Sequence, residues 1–280
     1  MRQYGILIGL ISLLSVLIGN AYPPTPGVVV TGIVRDEYGW VLRSAGAEVV
    51  FRQGDVEITR APIANGMSME FNYRVLLPLD AGIAPGTYRQ GAIRATAAWT
   101  VEIHSSGAVY PPIEVLTGDL PELEAGTEIQ LDLTLGEDSD ADGLPDDWEL
   151  WQLQLAGFFP GDPEYNLDQL NATGDFDLDG LSDSQEFFAG SVAVFNGSVN
   201  QLDLVGFQEA NLIEFDYYAT RNKDYQLEWS ENLVDWTPVP SSLDDPAGEP
   251  VNAWTATRTG WRTIYAPSEG SSRLYRLRVR

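Results

Sequence analysis

Apolar and polar residues alternate with a period of two over much of this chain. Met69, Phe71, Tyr73 and Val75 alternate with Glu70, Asn72 and Arg74. Trp99, Val101 and Ile103 alternate with Thr100 and Glu102, and Ile129, Leu131, Leu133 and Leu135 with Gln130, Asp132 and Thr134. Successive side chains of a strand point to opposite faces, so this pattern predicts strands with one buried face. Gly27 to Arg35 and Ala47 to Gln53 add runs rich in Val or Ile, followed by the turns Glu37-Tyr38-Gly39 and Gly54-Asp55. The alternation returns in Ile213, Phe215 and Tyr217, in Tyr225, Leu227 and Trp229 after the turn Arg221 to Asp224, and in Tyr275, Leu277 and Val279. The expected fold is mainly β: two antiparallel β-sandwich domains, residues 22–135 and 201–280, joined by a small helical segment, 136–190, and a short polar linker, 191–200.

Segment 136–190 has a different pattern, given twice. Asp138, Asp140, Asp142, Asp146 and Glu149 stand at positions 1, 3, 5, 9 and 12 of one stretch, with Gly143 at position 6. Asp175, Asp177, Asp179, Asp183 and Glu186 repeat the spacing around Gly180. This is the template of an EF-hand-like calcium loop. A hard cation of that size takes six to eight oxygens, alternate residues of a tight loop point inward, and the glycine permits the turn. The carbonyls of Leu144 and Leu181 would add a neutral oxygen each, and the glutamates would reach back from the first turn of a helix. Two Ca²⁺ are therefore expected. Helices are expected from Asp146 to Ala156 and from Asp183 to Ala189, with a short one near Glu164 to Asn171. Trp148, Trp151 and Leu155 would share one face, and both tryptophans would pack with Phe187 and Phe188. The segment holds 15 Asp and Glu and no Lys or Arg, so only bound cations could neutralise the loops locally.

Charge and composition narrow the function classes. The 280 residues carry a formal charge of −25, with Lys223 the only lysine. Such acidity argues against nucleic acid and anionic membranes as partners. There is no cysteine, which excludes disulfides, thiol catalysis and Cys-ligated metal. Residues 1–21 read as a signal peptide: Arg2, an apolar run from Gly5 to Gly19, then small residues before a cut ahead of Tyr22. A secreted or cell-surface protein follows, with no membrane span after cleavage. His104, the only histidine, falls in a turn-like His104-Ser-Ser-Gly107. No nucleophile–base constellation stands out, so no enzyme is expected, although two carboxylates suffice for a glycoside hydrolase.

Resemblances sharpen this. Gly32-Ile-Val-Arg-Asp36-Glu-Tyr-Gly39-Trp-Val-Leu, with Ala47-Glu-Val-Val-Phe51, resembles prealbumin-like and carboxypeptidase-regulatory-like modules of exported proteins. That likeness implies a spacer or adhesive module. The acidic loops are similar to thrombospondin type 3 and dockerin-like calcium repeats, and more closely resemble the Asp-x-Asp-x-Asp-Gly-Leu-x-Asp-x-x-Glu repeats found between domains of exported bacterial proteins. They depart from an ordinary EF-hand: a strand, Thr127 to Leu135, leads into the first loop, and Pro145 has no N–H for pairing the loops. Structural rather than sensor sites are implied. Tyr225-x-Leu227-x-x-Ser230-x-x-Leu233-x-x-Trp236, with Leu274-Tyr275-Arg276-Leu277, resembles a C-terminal β-sandwich of large exported bacterial proteins. The resulting expectation is a calcium-stiffened structural or adhesive protein whose partner is an extracellular protein or glycan. The alternative is a carbohydrate-binding accessory protein, with Trp254 or Trp261 as an exposed stacking platform and Trp229 on the core phase.

Overall fold

The computed structural model describes residues 25–64, 69–80, 91–94, 97–116, 118, 120–196, 202–208, 211–268 and 273–280. The expected signal peptide lies outside these residues, as does part of the expected linker. The fold is mainly β, with few and short helices. Among the described residues no helix is long and apolar enough to cross a membrane.

The first module contains β1 (Val28–Gly32), β2 (Val34–Arg35), β3 (Glu48–Gln53), β4 (Val56–Pro62), β5 (Tyr73–Leu77), β6 (Leu79–Asp80), β7 (Ile93–Arg94), β8 (Thr100–Ser105), β9 (Ala108–Tyr110), α1 (Ile113–Leu116), β10 (Glu128–Gln130) and β11 (Leu133–Thr134). One sheet has the order β10-β1-β5 and the other β4-β3-β8-β9. Val28, Val30, Val49, Phe51, Tyr73, Leu77, Val101 and Ile103 fill the core between them, as the alternation requires. Two differences from the expectation are instructive. The strand expected at 127–135 is split, and its halves run parallel to β1 and β2. Alternation fixes which face a residue takes but not strand direction, so it carries no sign of this. At the split, Asp132 substitutes for the ladder: Oδ1 accepts from Ile33 N at 3.0 Å and Oδ2 from Arg35 Nη1 at 2.9 Å. Gly32 is needed here because a Cβ would lie 1.8 Å from the Leu131 carbonyl oxygen. His104 is the second difference. It belongs to β8, half-buried beside Glu102, and the turn begins after Ser105.

The second module contains β12 (Leu202–Gln208), β13 (Leu212–Ala219), β14 (Asp224–Ser230), β15 (Thr237–Pro238), β16 (Ser242–Leu243), β17 (Trp254–Thr255), β18 (Gly260–Pro267) and β19 (Leu274–Val279). One sheet runs β12-β13-β18-β16; in the other, β14 pairs with β15, β17 and β19. Trp254 is buried here, stacked on Tyr225 and donating from Nε1 to the Tyr217 hydroxyl at 2.7 Å. It is a core residue and not a sugar platform.

Between them lie α2 (Asp146–Leu155), a single 3-10 turn (Leu167–Gln169) and α3 (Asp183–Ala189). Their own small core is Leu144, Trp148, Leu153, Leu170, Phe187 and Ala193. The buried face of α2 is Trp148, Glu149, Gln152 and Leu153; Trp151, Leu155 and Phe188 are exposed. Trp151 instead meets Tyr38 of the first module edge-on, with ring centroids 6.1 Å apart.

All three parts converge on Lys223, which is fully buried. Its ammonium donates to the carbonyls of Gly39 (2.6 Å), Phe188 (3.1 Å) and Phe187 (3.4 Å). Gly39 belongs to the first module, and Phe187 and Phe188 to the last turn of α3. Next to it, buried Asp224 bridges Arg43 of the first module and Arg280 of the second. The sandwiches thus touch each other, and the helical segment braces their junction from the side.

Candidate metal centres

Each acidic loop is shaped by its own hydrogen bonds, and the two loops share a frame. Asp138 accepts from Asp142 N (3.2 Å) and Gly143 N (3.0 Å); Asp175 accepts from Asp179 N (3.2 Å) and Gly180 N (3.1 Å). Asp142 accepts from Leu144 N at 2.8 Å and Asp179 from Leu181 N at 2.9 Å. The fourth position is left-handed in both, Ala141 with φ 60° and Leu178 with φ 62°, and so is the glycine, with φ 95° at Gly143 and 100° at Gly180. This winding gathers oxygens of Asp138, Asp140 and Asp142 within 4.8 Å of one another, and likewise those of Asp175, Asp177 and Asp179.

The helices supply what the loops lack. Glu149, in the first turn of α2, and Glu186, in the first turn of α3, are fully buried. Neither oxygen of either carboxylate has a hydrogen-bond partner, and Asp177 and Asp179 each bury one unpartnered oxygen. Burial, and then the charges of Asp142, Asp140, Asp146 and Asp138, push the Glu149 carboxyl up to about 9. Burial and then Asp177 push Glu186 up to about 8. Burial also raises Asp140, Asp142 and Asp177, with neighbouring aspartates adding to it. An ionised carboxylate buried without a partner is costly. A cation in each cluster would remove the penalty.

The ninth-position aspartates are held by hydrogen bonds of their own. Asp146 accepts from Ser139 N and Oγ at 2.7 and 2.6 Å, one bond to each oxygen. Asp183 accepts from Phe176 N and Asn171 N, both at 3.0 Å. These two ninth-position residues close the loops by hydrogen bonds and stand outside the three-aspartate clusters, as Glu149 and Glu186 do. Leu144 and Leu181 are held by their N–H groups, which donate to Asp142 and Asp179. Sequence spacing also missed a tie between the sites: the second oxygen of Asp142 accepts from Ala172 N at 2.8 Å, linking the first loop to the approach of the second. Gln152 Oε1, accepting from Ala193 N at 3.1 Å, ties α2 to the chain beyond α3. No motif marks either bond, because the partner is a backbone N–H.

The donors are all oxygen, with neither imidazole nor sulfur, and each set is crowded with negative charge. These two acidic clusters could therefore hold a hard metal ion each. The aromatic candidates separate cleanly from them. Trp229 and Trp236 are partly buried under the guanidinium groups of Arg273 and Arg276. Trp261 is 59% exposed and stands edge-on to Tyr218 at 5.8 Å on the outward face of β18.

Comparisons with known protein families, with curated proteins and with solved structures found no match.

Proposed function

We propose that this chain is an exported calcium-binding structural protein in which two Ca²⁺ hold two β-sandwiches in a fixed arrangement for presentation or adhesion. The observation that carries the reading is the pair of buried glutamates, Glu149 and Glu186, whose four oxygens lack hydrogen bonds beside three clustered aspartates each. Calcium is favoured over magnesium because it takes six to eight oxygens in flexible geometry and the sets are rich in carboxylates, whereas magnesium keeps several waters in a strict octahedron. Asp138, Asp140, Asp142 and Glu149, with the Leu144 carbonyl, would hold one ion. Asp175, Asp177, Asp179 and Glu186, with the Leu181 carbonyl, would hold the other. Glu186 lies on the same helix as the two carbonyls that receive Lys223. An ion at the second site therefore fixes the helix end against which both sandwiches dock. Metal analysis of protein purified with calcium should give two Ca²⁺ per chain, one after Glu149→Ala and one after Glu186→Ala. A calcium-free wild-type protein would refute the reading.

A glycan-binding role has one observation in its favour, the outward Trp261 beside Tyr218. Apolar sugar faces stack on exposed rings, so Trp261→Ala should abolish glycan retention while leaving the melting temperature unchanged. Absence of glycan binding by wild-type protein would remove this reading.

A further inference from the structure

The second sandwich is open along one edge. Among the described residues β12 pairs with β13 alone and β19 with β14 alone, so both are edge strands. Register sets Leu204 opposite Phe215 and Phe207 opposite Ile213. Directly opposed residues share a face, so Leu204 and Phe207 project to the core side. Phe215 and Ile213 are 4% and 6% exposed, yet Leu204 is 58% and Phe207 73% exposed. Val205, at the bulge beside Leu204, is exposed as well.

The cause is an offset between the sheets. Across the core Tyr217 of β13 meets Tyr225 of β14, and Phe215 of β13 meets Tyr275 of β19, each pair with ring centroids 5.1 Å apart. β13 is thus covered by β14 and β19, and β12 lies one strand further out with no strand opposite it among the described residues. The core-side residues of β19, namely Tyr275, Leu277 and Val279, are correspondingly only partly buried. A strand added beside β19 would cover the inner face of β12.

The chemistry of the two edges says which strand fits. On its outward side β19 carries Arg276 and Arg278, which share one carboxylate, Glu228, at 2.7 and 3.6 Å. The incoming strand should be apolar inward and acidic outward. β12 itself fits: Leu202, Leu204 and Phe207 lie on one side, and its single charge, Asp203, opposite Asp216, on the other. We propose that the protein forms a two-fold dimer in which β12 of each copy adds to β19 of its partner. Each β12 sheet then continues into the partner's β19 sheet, and Leu204 and Phe207 of the two copies pack together at the axis. Such an interface is self-complementary and leaves neither edge open.

Sedimentation of the full chain in calcium, across the micromolar range, tests this. The wild type should pass from monomer to dimer as concentration rises, and amide exchange in β12 and β19 should slow in step. Phe207→Asp should remain monomeric with its circular dichroism and calcium content intact, since Phe207 is exposed in the monomer. Arg278→Glu should weaken dimerisation at least tenfold. A wild type that stays monomeric throughout, as it would if the open edge serves a different protein, overturns the proposal. So does a Phe207→Asp chain that dimerises as well as the wild type.

Discussion

Lys223 shows how far a single residue can depart from its sequence context. Between Asn222 and Asp224 it reads as part of a polar turn, and its three acceptors lie 35, 36 and 184 residues away, so nothing local announces its burial. Burial pushes its ammonium down to about 7, while the three carbonyls, two at the negative end of α3, favour keeping its proton. The stem packs against Gly190, where a Cβ would come within 2.5 Å of the lysine Cε. Lys223→Met keeps the stem and removes the donors. Leaving the buried carbonyls unpaired should cost about 2–4 kcal/mol, read as a lower denaturant midpoint with calcium content unchanged. An unchanged midpoint would mean that the junction is held by other contacts. Leu178 is the opposite case, a residue whose sequence setting is right and whose identity is not optimal. It is 81% exposed and left-handed at φ 62°. Asn tolerates that conformation better, so Leu178→Asn should raise the melting point, by up to about 1 kcal/mol of stability.

At the scale of elements, type and extent were more legible than orientation. α3 starts and stops where the sequence places it, because Ser182 and Gln185 form a reciprocal cap and Gly190 ends it in a left-handed turn. α2 is also found where expected, but its apolar stripe misleads. Trp148, Trp151 and Leu155 suggest one face, whereas Glu149 must turn into the loop and Gln152 must reach Ala193 N. These polar demands rotate the helix and leave Trp151 partly in solvent. Trp148→Ala should therefore cost about 3–5 kcal/mol, and Trp151→Ala less than about 1.5 kcal/mol, both read from denaturant curves. Equal costs would restore the simple stripe. The strands follow the same rule: alternation identified their buried faces, but not the parallel return of β10 and β11 or the missing cover over β12. Both depend on residues distant in sequence.

For the whole molecule, net charge and junction geometry decide what chelation would do to the proposed calcium-bound form. Two divalent ions, if bound as proposed, would offset four of the 25 net negative charges, and would do so where carboxylates cluster. Binding to the folded form alone stabilises it by about 2.7 kcal/mol per site at a hundredfold excess over Kd. The sandwiches have separate apolar cores, so each should stay folded in EGTA while residues 138–186 become protease-sensitive. They also meet directly through Arg43, Asp224 and Arg280, so cleavage should leave two fragments that co-elute at low salt. Salt acts on the two effects in opposite directions. At 1 M the Debye length is about 3 Å, which screens repulsion among the exposed loop carboxylates and should partly restore protease resistance without calcium. The same salt weakens the contact of partly exposed Arg43 with Asp224 and should help the nicked fragments separate. Limited proteolysis in EGTA at low and high salt, followed by size exclusion, measures both. If added salt leaves the cleavage rate unchanged, charge repulsion is not what the proposed calcium ions would relieve. The cost would then lie in the buried Glu149 and Glu186, which bulk ions do not reach.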